Sequence, residues 1–226
     1  MTIDTLWIII PAYNEGEVIR DVVAGVRARY PNVVLVDDCS LDETGDAAYS
    51  GGAAVLRHPI NLGQGAALQT GIDYAIAHGA KFLVTFDADG QHRVEDIETL
   101  LEVQKRANVE VVVGSRFLGA THNLPPFRKF VLKLAIHFTR ITSGVSLTDA
   151  HNGLRLLTLG AAKRIRITQN RMAHASEIID QIKRFGLSIA EAPVTIIYTE
   201  YSLRKGQKLS NAFNILAELL VARLTK

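Results

Sequence analysis

The chain has 226 residues, of which 48% are hydrophobic and 21% charged, and its formal net charge is +2. This length and hydrophobic content are sufficient for one well-buried domain and short for two, and so small a net charge excludes a global electrostatic field that would favour nucleic acid. Cys39 is the single cysteine, so an internal disulfide is excluded and a reducing, cytoplasmic location is expected.

The N-terminal segment MTIDTLWIII predicts a first strand. No basic region precedes its apolar run, and Pro11 ends the run early, so the segment is not typical of a signal peptide. Further along the chain, no apolar run approaches the roughly 20 residues that are needed to span a bilayer. Any membrane contact is therefore expected to be peripheral or through a partner.

Short apolar runs alternate with helix-like segments through the first half of the chain. Strands are predicted at 6–10, 32–38, 53–58, 81–87 and 109–115, and helices at 15–29, 42–50, 64–78 and 94–107. Continuous apolar strands alternating with helices indicate an α/β fold, a single domain with a mostly parallel central sheet flanked by helices. The second half is less regular, and its strands are only weakly indicated.

A polar or glycine-rich cluster follows each of these strands. The clusters are PAYNE at 11–15, DDCSLDET at 37–44, HPINLGQGAALQTG at 58–71, DADGQH at 87–92 and GSR at 114–116. In open α/β sheets, ligands bind beyond the carboxyl ends of the strands. We therefore expect the clusters to form a common site.

The cluster DADGQH predicts a cation site. Residues i and i+2 of an extended segment face the same way, so Asp87 and Asp89 can present oxygens to one point, with Gln91 adding a neutral oxygen. This donor set suits Mg²⁺ or Mn²⁺ held jointly with phosphates rather than Zn²⁺. His92 is expected behind these ligands or on the surface. The alternative is a simple polar turn, because DADG contains good turn formers.

The cluster after the second strand predicts nucleotide contacts. Asp37 and Asp38 end the second strand, where a carboxylate can accept hydrogen bonds from a base or ribose, while Ser40 and Glu43 have the spacing of a helix-capping box.

The glycines at 63 and 65 precede a helix whose N-terminus could bind an anion. A plain tight turn is the alternative. The dinucleotide fingerprint is excluded because position 68 is leucine.

In this order, PAYNE, VDDCSLDET, NLGQGAAL, DADGQH and GSR resemble the motifs of family 2 glycosyltransferases, in particular the dolichol-phosphate mannose synthase and polyprenyl-phosphate glycosyltransferase branch. The resemblance extends over roughly residues 6–208. It implies a GT-A fold, a nucleotide-diphosphate sugar donor carrying GDP or UDP, and Mg²⁺ or Mn²⁺ as cofactor.

The resemblance also implies roles for individual residues. The implied nucleotide-binding residues are Pro11, Tyr13, Glu15, Asp37, Asp38, Gly65, Asp87, Arg204 and Lys208. The implied metal ligands are Asp87, Asp89 and Gln91, and the catalytic candidates are Asp89, Asp149 and Arg204. Lys205 is a further candidate for the diphosphate. Asp149 and Arg155 would line the acceptor side, with a structural ion pair as the alternative for Arg155.

The acceptor determines whether a base is needed. A hydroxyl acceptor needs a positioned base, whereas a lipid phosphate is already an anion at neutral pH. The segment 125–144 combines apolar residues with Arg128, Lys129, Lys133 and Arg140, which is typical of a basic amphipathic helix at a membrane interface. The alternative is a core-facing helix with a basic rim.

The predicted function is inverting, metal-dependent transfer of one sugar to a polyprenyl phosphate, peripherally at the cytoplasmic face of the membrane. Residues 1–116 would bind the nucleotide sugar and 117–208 the acceptor, while an amphipathic helix at 209–226 would contact lipid or a second subunit.

Other functions compete with this prediction. One is transfer to a saccharide acceptor in cell-envelope polysaccharide synthesis, with Asp149 as the base. Another is a non-catalytic module that binds sugar nucleotides or acts as a membrane scaffold. A sugar-nucleotidyltransferase would need a basic, glycine-rich loop after the first strand, which PAYNEGEV is not.

Overall fold

The computed structural model describes residues 3–126, 129, 132–134, 136, 140, 144–149, 152–171 and 173–205. Its strands are β1 (Leu6–Ala12), β2 (Val33–Asp37), β3 (Ala54–Arg57), β4 (Phe82–Thr85), β5 (Val111–His122), β6 (Arg155–Thr158) and β7 (Ile189–Ile197). A short 3₁₀ helix (Ile3–Thr5) precedes β1, and the α-helices are α1 (Ile19–Arg27), α2 (Thr44–Ser50), α3 (Gln64–Ala77), α4 (Asp96–Ala107), α5 (Leu159–Arg164), α6 (His174–Arg184) and α7 (Glu200–Lys205).

The strands form one seven-stranded sheet in the order β3-β2-β1-β4-β6-β5-β7. β1 pairs in parallel with β2 and β4, β2 with β3, and β5 with β7. β6 runs antiparallel to both of its neighbours, β4 and β5. The mostly parallel sheet is confirmed, and β6 and β7 add to the five predicted strands in the half of the chain where strands were only weakly indicated.

Helices cover both faces of this sheet. Along β1, Ile8 and Ile10 face one core while Ile9 faces the other, as the alternation of a strand requires. Helices α1, α2 and α4 pack on the first core, and α3, α5 and α6 on the second. Burying each large aliphatic side chain contributes about 1.5–3 kcal/mol, which fixes the sheet that carries the site.

Two predicted details of the β1–α1 and β2–α2 loops are wrong. The first helix begins at Ile19 rather than at residue 15. Ser40 does not cap α2, because its Oγ accepts the N–H of Asn14 at 2.9 Å. Asp42 Oδ1 instead accepts the N–H of Thr44 at 3.0 Å. The β2–α2 loop thus uses its side chains to hold the loop after β1.

The strand directions place several segments at one edge. β1, β2 and β4 are mutually parallel, so their carboxyl ends meet there. Because β6 is antiparallel, it begins at that same edge, where Arg155 pairs with Thr85 of β4 and Val113 of β5. The segment before β6 therefore lies next to the residues that follow β4.

Parts of the predicted membrane and acceptor regions lie outside the described residues. These are Lys208, the helix predicted at 209–226 with its suggested subunit contact, and most of the segment 125–144. Among the residues that are described, no helix is long and apolar enough to cross a bilayer.

Candidate active site

Two carboxylates follow β4 at this edge of the sheet. Asp87 and Asp89 are half-buried, and Ala88 between them is buried in the first core. Burial, and then the charge of Asp87, raise the pKa of Asp89 to about 6. Burial also opposes ionisation of Asp87, but the hydrogen bond and charge of His92 lower the pKa of Asp87. The site concentrates negative charge that a cation would neutralise.

Asp87 is held on several sides. His92 Nε2 lies 3.0 Å from Asp87 Oδ2, and Gln64 Nε2 donates to Oδ1 at 3.2 Å. Gly153, from the segment before β6, packs so closely that a Cβ there would lie 2.1 Å from Asp87 Oδ2. Such contacts fix the orientation of a prospective ligand.

The donor set fits a divalent ion shared with a substrate. Among the described residues, no group of three or more His, Cys, Asp or Glu side chains could hold a metal ion. Asp87 and Asp89 therefore offer too few ligands for an all-protein cage, but they match Mg²⁺ bound by one or two carboxylates together with substrate phosphates. When bound, such an ion would stabilise the charge that develops on a departing diphosphate.

Gln91 contacts Asp89 through its nitrogen atoms. Its side-chain nitrogen donates to Asp89 Oδ2 at 2.7 Å, and its backbone N–H donates to Oδ1 at 3.0 Å. These bonds orient Asp89 and leave the side-chain oxygen of Gln91 without a hydrogen bond among the described residues, so its expected role as a metal ligand stays a prediction.

The loop after β1 presents Tyr13 to the site but not Glu15. Pro11 is buried within β1, whereas Tyr13 is 42% exposed. Glu15 Oε2 accepts the hydroxyl of Tyr201 at 2.7 Å, and Glu15 Oε1 pairs with Lys205 at 2.9 Å. The Glu15 carboxylate is thus directed to α7 rather than to a nucleotide.

The basic residues of α7 contact the same loop. Arg204 pairs with Glu17 at 3.1 Å, and Lys205 Nζ donates to the carbonyl oxygens of Tyr13 and Asn14. Neither cation is directed at the Asp87–Asp89 pair. To contact the diphosphate as expected, Arg204 and Lys205 would have to leave Glu17 and Glu15 for the phosphate oxygens.

Asp37 and Asp38 are buried, and their carboxylates serve the loops around them. Asp37 Oδ1 accepts the N–H of Ser40 at 2.8 Å. Asp38 accepts the N–H groups of Leu62 at 2.9 Å and Gly63 at 2.6 Å, and its Oδ1 lies 2.8 Å from His58 Nδ1. Asp37 Oδ2 accepts no hydrogen bond and lies 3.5 Å from Arg57 Nε, and Asp38 also lines a neighbouring cavity, so the predicted contacts of both residues with a base or ribose stay predictions.

The N-terminus of α3 does not offer Gly65 to an anion. The N–H groups of Gly65 and Ala66 donate to the carbonyl oxygen of Asn170 at 2.8 and 3.3 Å. A Cβ at Gly65 would lie 2.0 Å from the carbonyl oxygen of Gln169. The close approach of a neighbouring segment requires glycine here and favours the tight-turn alternative, while the expected anion contact of Gly65 stays a prediction.

A cavity of about 300 Å³ opens beside these loops. It is lined by Tyr13, Asp38, Asn61, Gly63, Gln64 and Arg171. Gln64 both lines the cavity and donates to Asp87, so the cavity adjoins the carboxylate pair. Its volume lies at the lower end of the range for small-molecule sites, about 300–1,000 Å³.

Asp149 is fully buried and does not face a substrate. Its Oδ2 accepts Arg116 Nε at 2.6 Å, and Arg116 Nη1 donates to the hydroxyl of Tyr198 at 2.8 Å. A general base must reach the proton that it removes, so the pairing of Asp149 with Arg116 does not favour the expected role of Asp149 as a base, which stays a prediction.

Arg155 is also buried. Burial lowers the pKa of Arg155 to about 10, opposed by the charges of Asp87 and Asp149. The guanidinium therefore lies within the electrostatic reach of both carboxylates.

The structure adds residues that the sequence reasoning did not assign to the site. They are Gln64, Arg116, Gly153, Arg171 and Tyr201. Gln64 and Arg116 lie in the polar clusters after strands, whereas only the fold shows that Gln64 and Gly153 both lie against Asp87. The location of His92 behind Asp87 agrees with the expectation.

Comparisons with known proteins show the family of this chain. The model of glycosyl transferase family 2 matches residues 7–165. The chain is 33% identical over 244 residues to UDP-N-acetylglucosamine–dolichyl-phosphate N-acetylglucosaminyltransferase of Methanococcus voltae, covering 98% of this chain and 97% of that protein. It is 31% identical over 226 residues to polyprenol monophosphomannose synthase of Mycolicibacterium smegmatis, covering 93% of this chain and 85% of that protein.

A solved structure shows the same fold. Glucosyl-3-phosphoglycerate synthase from Mycobacterium tuberculosis, in complex with Mn²⁺ and UDP-glucose, matches with a TM-score of 0.75 over 98% of this chain and 78% of that chain. The identity of 17% supports a common GT-A fold and no finer conclusion. With a family model that matches most of its length and relatives that span nearly all of it, this chain belongs to glycosyltransferase family 2, as its motifs predicted.

Proposed function

We propose that the protein transfers one sugar from a nucleotide-diphosphate sugar to a polyprenyl phosphate, with Mg²⁺ or Mn²⁺ as cofactor. The main observation in support is that the Asp87–Asp89 pair lies beside a cavity, since Gln64 both lines the cavity and donates to Asp87. The names of the two relatives include dolichyl phosphate and a polyprenol monophosphosugar, which supports a lipid phosphate as acceptor.

The buried Asp149 favours a lipid phosphate over a saccharide. A sugar hydroxyl needs a base, and the carboxylate expected to act as one is buried against Arg116. An oxygen of the lipid phosphate is already negatively charged, and it attacks the anomeric carbon without a base. As that bond forms, the bond from the anomeric carbon to the diphosphate oxygen breaks, and a nucleoside diphosphate leaves. A single displacement of this kind inverts the configuration.

Peripheral contact with the cytoplasmic face of a membrane is part of the proposal. Of the segment 125–144, the described Lys129, Lys133, Leu134 and Arg140 are all exposed. Exposed cations beside an exposed leucine suit an anionic lipid surface. A lipid acceptor would be reached from this surface.

The test is transfer of radiolabelled sugar to a short-chain polyprenyl phosphate in detergent. UDP-N-acetylglucosamine, UDP-glucose and GDP-mannose are supplied separately with Mn²⁺ or Mg²⁺, and lipid-linked label is counted after organic extraction. We expect one donor to give product, with none after chelation or in Asp89→Asn. Asp180→Asn, which removes an exposed carboxylate on α6, is the matched control and should retain activity.

The other outcomes separate the alternatives. Transfer of label only to an added saccharide would show that the acceptor is a saccharide and not a lipid phosphate. Metal-dependent nucleotide binding without transfer to either acceptor would favour the non-catalytic module. Full activity of Asp89→Asn would contradict the assignment of the metal site.

A further inference from the structure

Arg171 places a positive charge at the cavity. It lies in a segment for which the sequence predicts no role. The residue lies just before α6, and its exposed side chain lines the cavity with Tyr13, Gly63 and Gln64. Of the six lining residues, it is the single cation. The segment that carries it is therefore of interest as part of the donor site.

The backbone around Arg171 is fixed on one side by α6. Glu177 accepts the N–H groups of Thr168 at 3.0 Å and Gln169 at 2.9 Å. His174 Nδ1 lies 2.7 Å from the carbonyl oxygen of Arg171. These contacts satisfy the polar groups of a loop that has no regular secondary structure.

On its other side the same segment packs against the start of α3. A Cβ at Gly63 would lie 2.4 Å from the carbonyl oxygen of Asn170 and 3.1 Å from Arg171 Cγ. Gly63 has φ of +104°, a conformation that side chains other than glycine rarely adopt. The aliphatic stem of Arg171 thus lies against the glycine, while its backbone is anchored.

The guanidinium of Arg171 differs from the cations of α7. Arg204 and Lys205 pair with Glu17 and Glu15. Within the part of the chain that the structure describes, no ion pair or side-chain hydrogen bond is formed by Arg171. Asp38 carries the one carboxylate among the six lining residues, and it already accepts two backbone N–H groups.

We propose that Arg171 binds the diphosphate of the nucleotide sugar. A nucleotide in the cavity, with its phosphates at the Asp87–Asp89 pair, passes Gln64, because Gln64 touches both regions. Arg171 lies beside this path, and a guanidinium donates two parallel N–H groups to phosphate oxygens. This inference rests on the proposed function and deepens it by naming a residue that holds the donor.

The experiment compares UDP, GDP and their nucleosides as ligands in the presence of Mn²⁺. Calorimetry measures the diphosphates, and competition measures the weaker nucleosides, on wild type, Arg171→Ala, Arg171→Lys and the control Arg106→Ala. Arg106 is an exposed arginine in the last turn of α4, so its removal changes net charge equally. Thermal unfolding confirms that each variant is folded.

We expect Arg171→Ala to weaken binding of the preferred diphosphate roughly 10- to 100-fold, as the loss of hydrogen bonds to a charged group predicts. Nucleoside binding should change less than twofold, and Arg171→Lys should be intermediate because it keeps the charge without the fork. Arg106→Ala should bind like wild type.

Three results would overturn the inference. If wild type binds a nucleoside diphosphate and Arg171→Ala binds it equally well, Arg171 has no role while the proposed function stands. Equal losses for diphosphate and nucleoside would assign Arg171 to the base or ribose instead. Absence of metal-dependent diphosphate binding in wild type would overturn the proposed function itself.

Discussion

Replacing Gly153 by alanine tests whether the fold, and not only DADGQH, builds the metal site. The added Cβ would lie 2.1 Å from Asp87 Oδ2 and 2.4 Å from its Cγ. Neither side can move freely. Asp87 is held by His92 at 3.0 Å and Gln64 at 3.2 Å, and the carbonyl oxygen of Gly153 accepts the hydroxyl of Thr85 at 2.5 Å.

The free-energy cost of Gly153→Ala depends on whether the segment of Gly153 or the side chain of Asp87 moves. Forcing an extra methyl group into a packed region costs about 1–3 kcal/mol. If Asp87 rotates away instead, a hydrogen bond to a charged group is lost, which costs about 1.5–3 kcal/mol. Either route displaces a ligand carboxylate, and disturbing the contacts that orient a metal ligand lowers metal affinity about 10- to 100-fold.

The assay has two readouts. Urea unfolding gives the free energy of unfolding, and calorimetry gives the affinity for nucleoside diphosphate with Mn²⁺. Gly160→Ala in α5 is the matched control, because its nearest atom, Thr158 Oγ1, would be 3.9 Å from the new Cβ. That control should be neutral or more stable by about 0.5–1 kcal/mol. Wild-type stability and wild-type metal-dependent binding in Gly153→Ala would refute the reasoning.

Two further predictions concern buried carboxylates. Asp149→Asn leaves the buried Arg116 without its charged partner, and we expect urea unfolding to show a free energy of unfolding lower by about 3–5 kcal/mol. Unchanged stability together with abolished transfer would instead support Asp149 as a base. Burial raises the pKa of Asp96, so the folded state holds this proton more tightly and wild type loses stability as the pH rises through that pKa. Asp96→Asn keeps an acceptor for the N–H of Thr195, so it should be more stable than wild type at pH 7, with a difference that shrinks towards pH 4. A difference that is independent of pH would contradict this assignment.

The sequence alone determined the elements of the first half and where their polar clusters lie. Strand and helix periodicity are local properties, so runs such as LWIII, NVVLVDD and KFLVTF identify their strands without knowledge of their neighbours. The parallel arrangement then brings the strand ends together. The family motifs are short and contiguous, which is why their order was sufficient to predict glycosyltransferase family 2.

Only the tertiary structure decided which polar side chains are open to a ligand. Glu15 meets Tyr201, Asp149 meets Arg116, and Gly65 meets Asn170 across long stretches of chain. The antiparallel β6 likewise brings Gly153 against Asp87. A carboxylate or an N–H group has the same local sequence whether it faces water or a distant partner. Its availability is fixed by the packing of remote segments, which residue spacing does not encode.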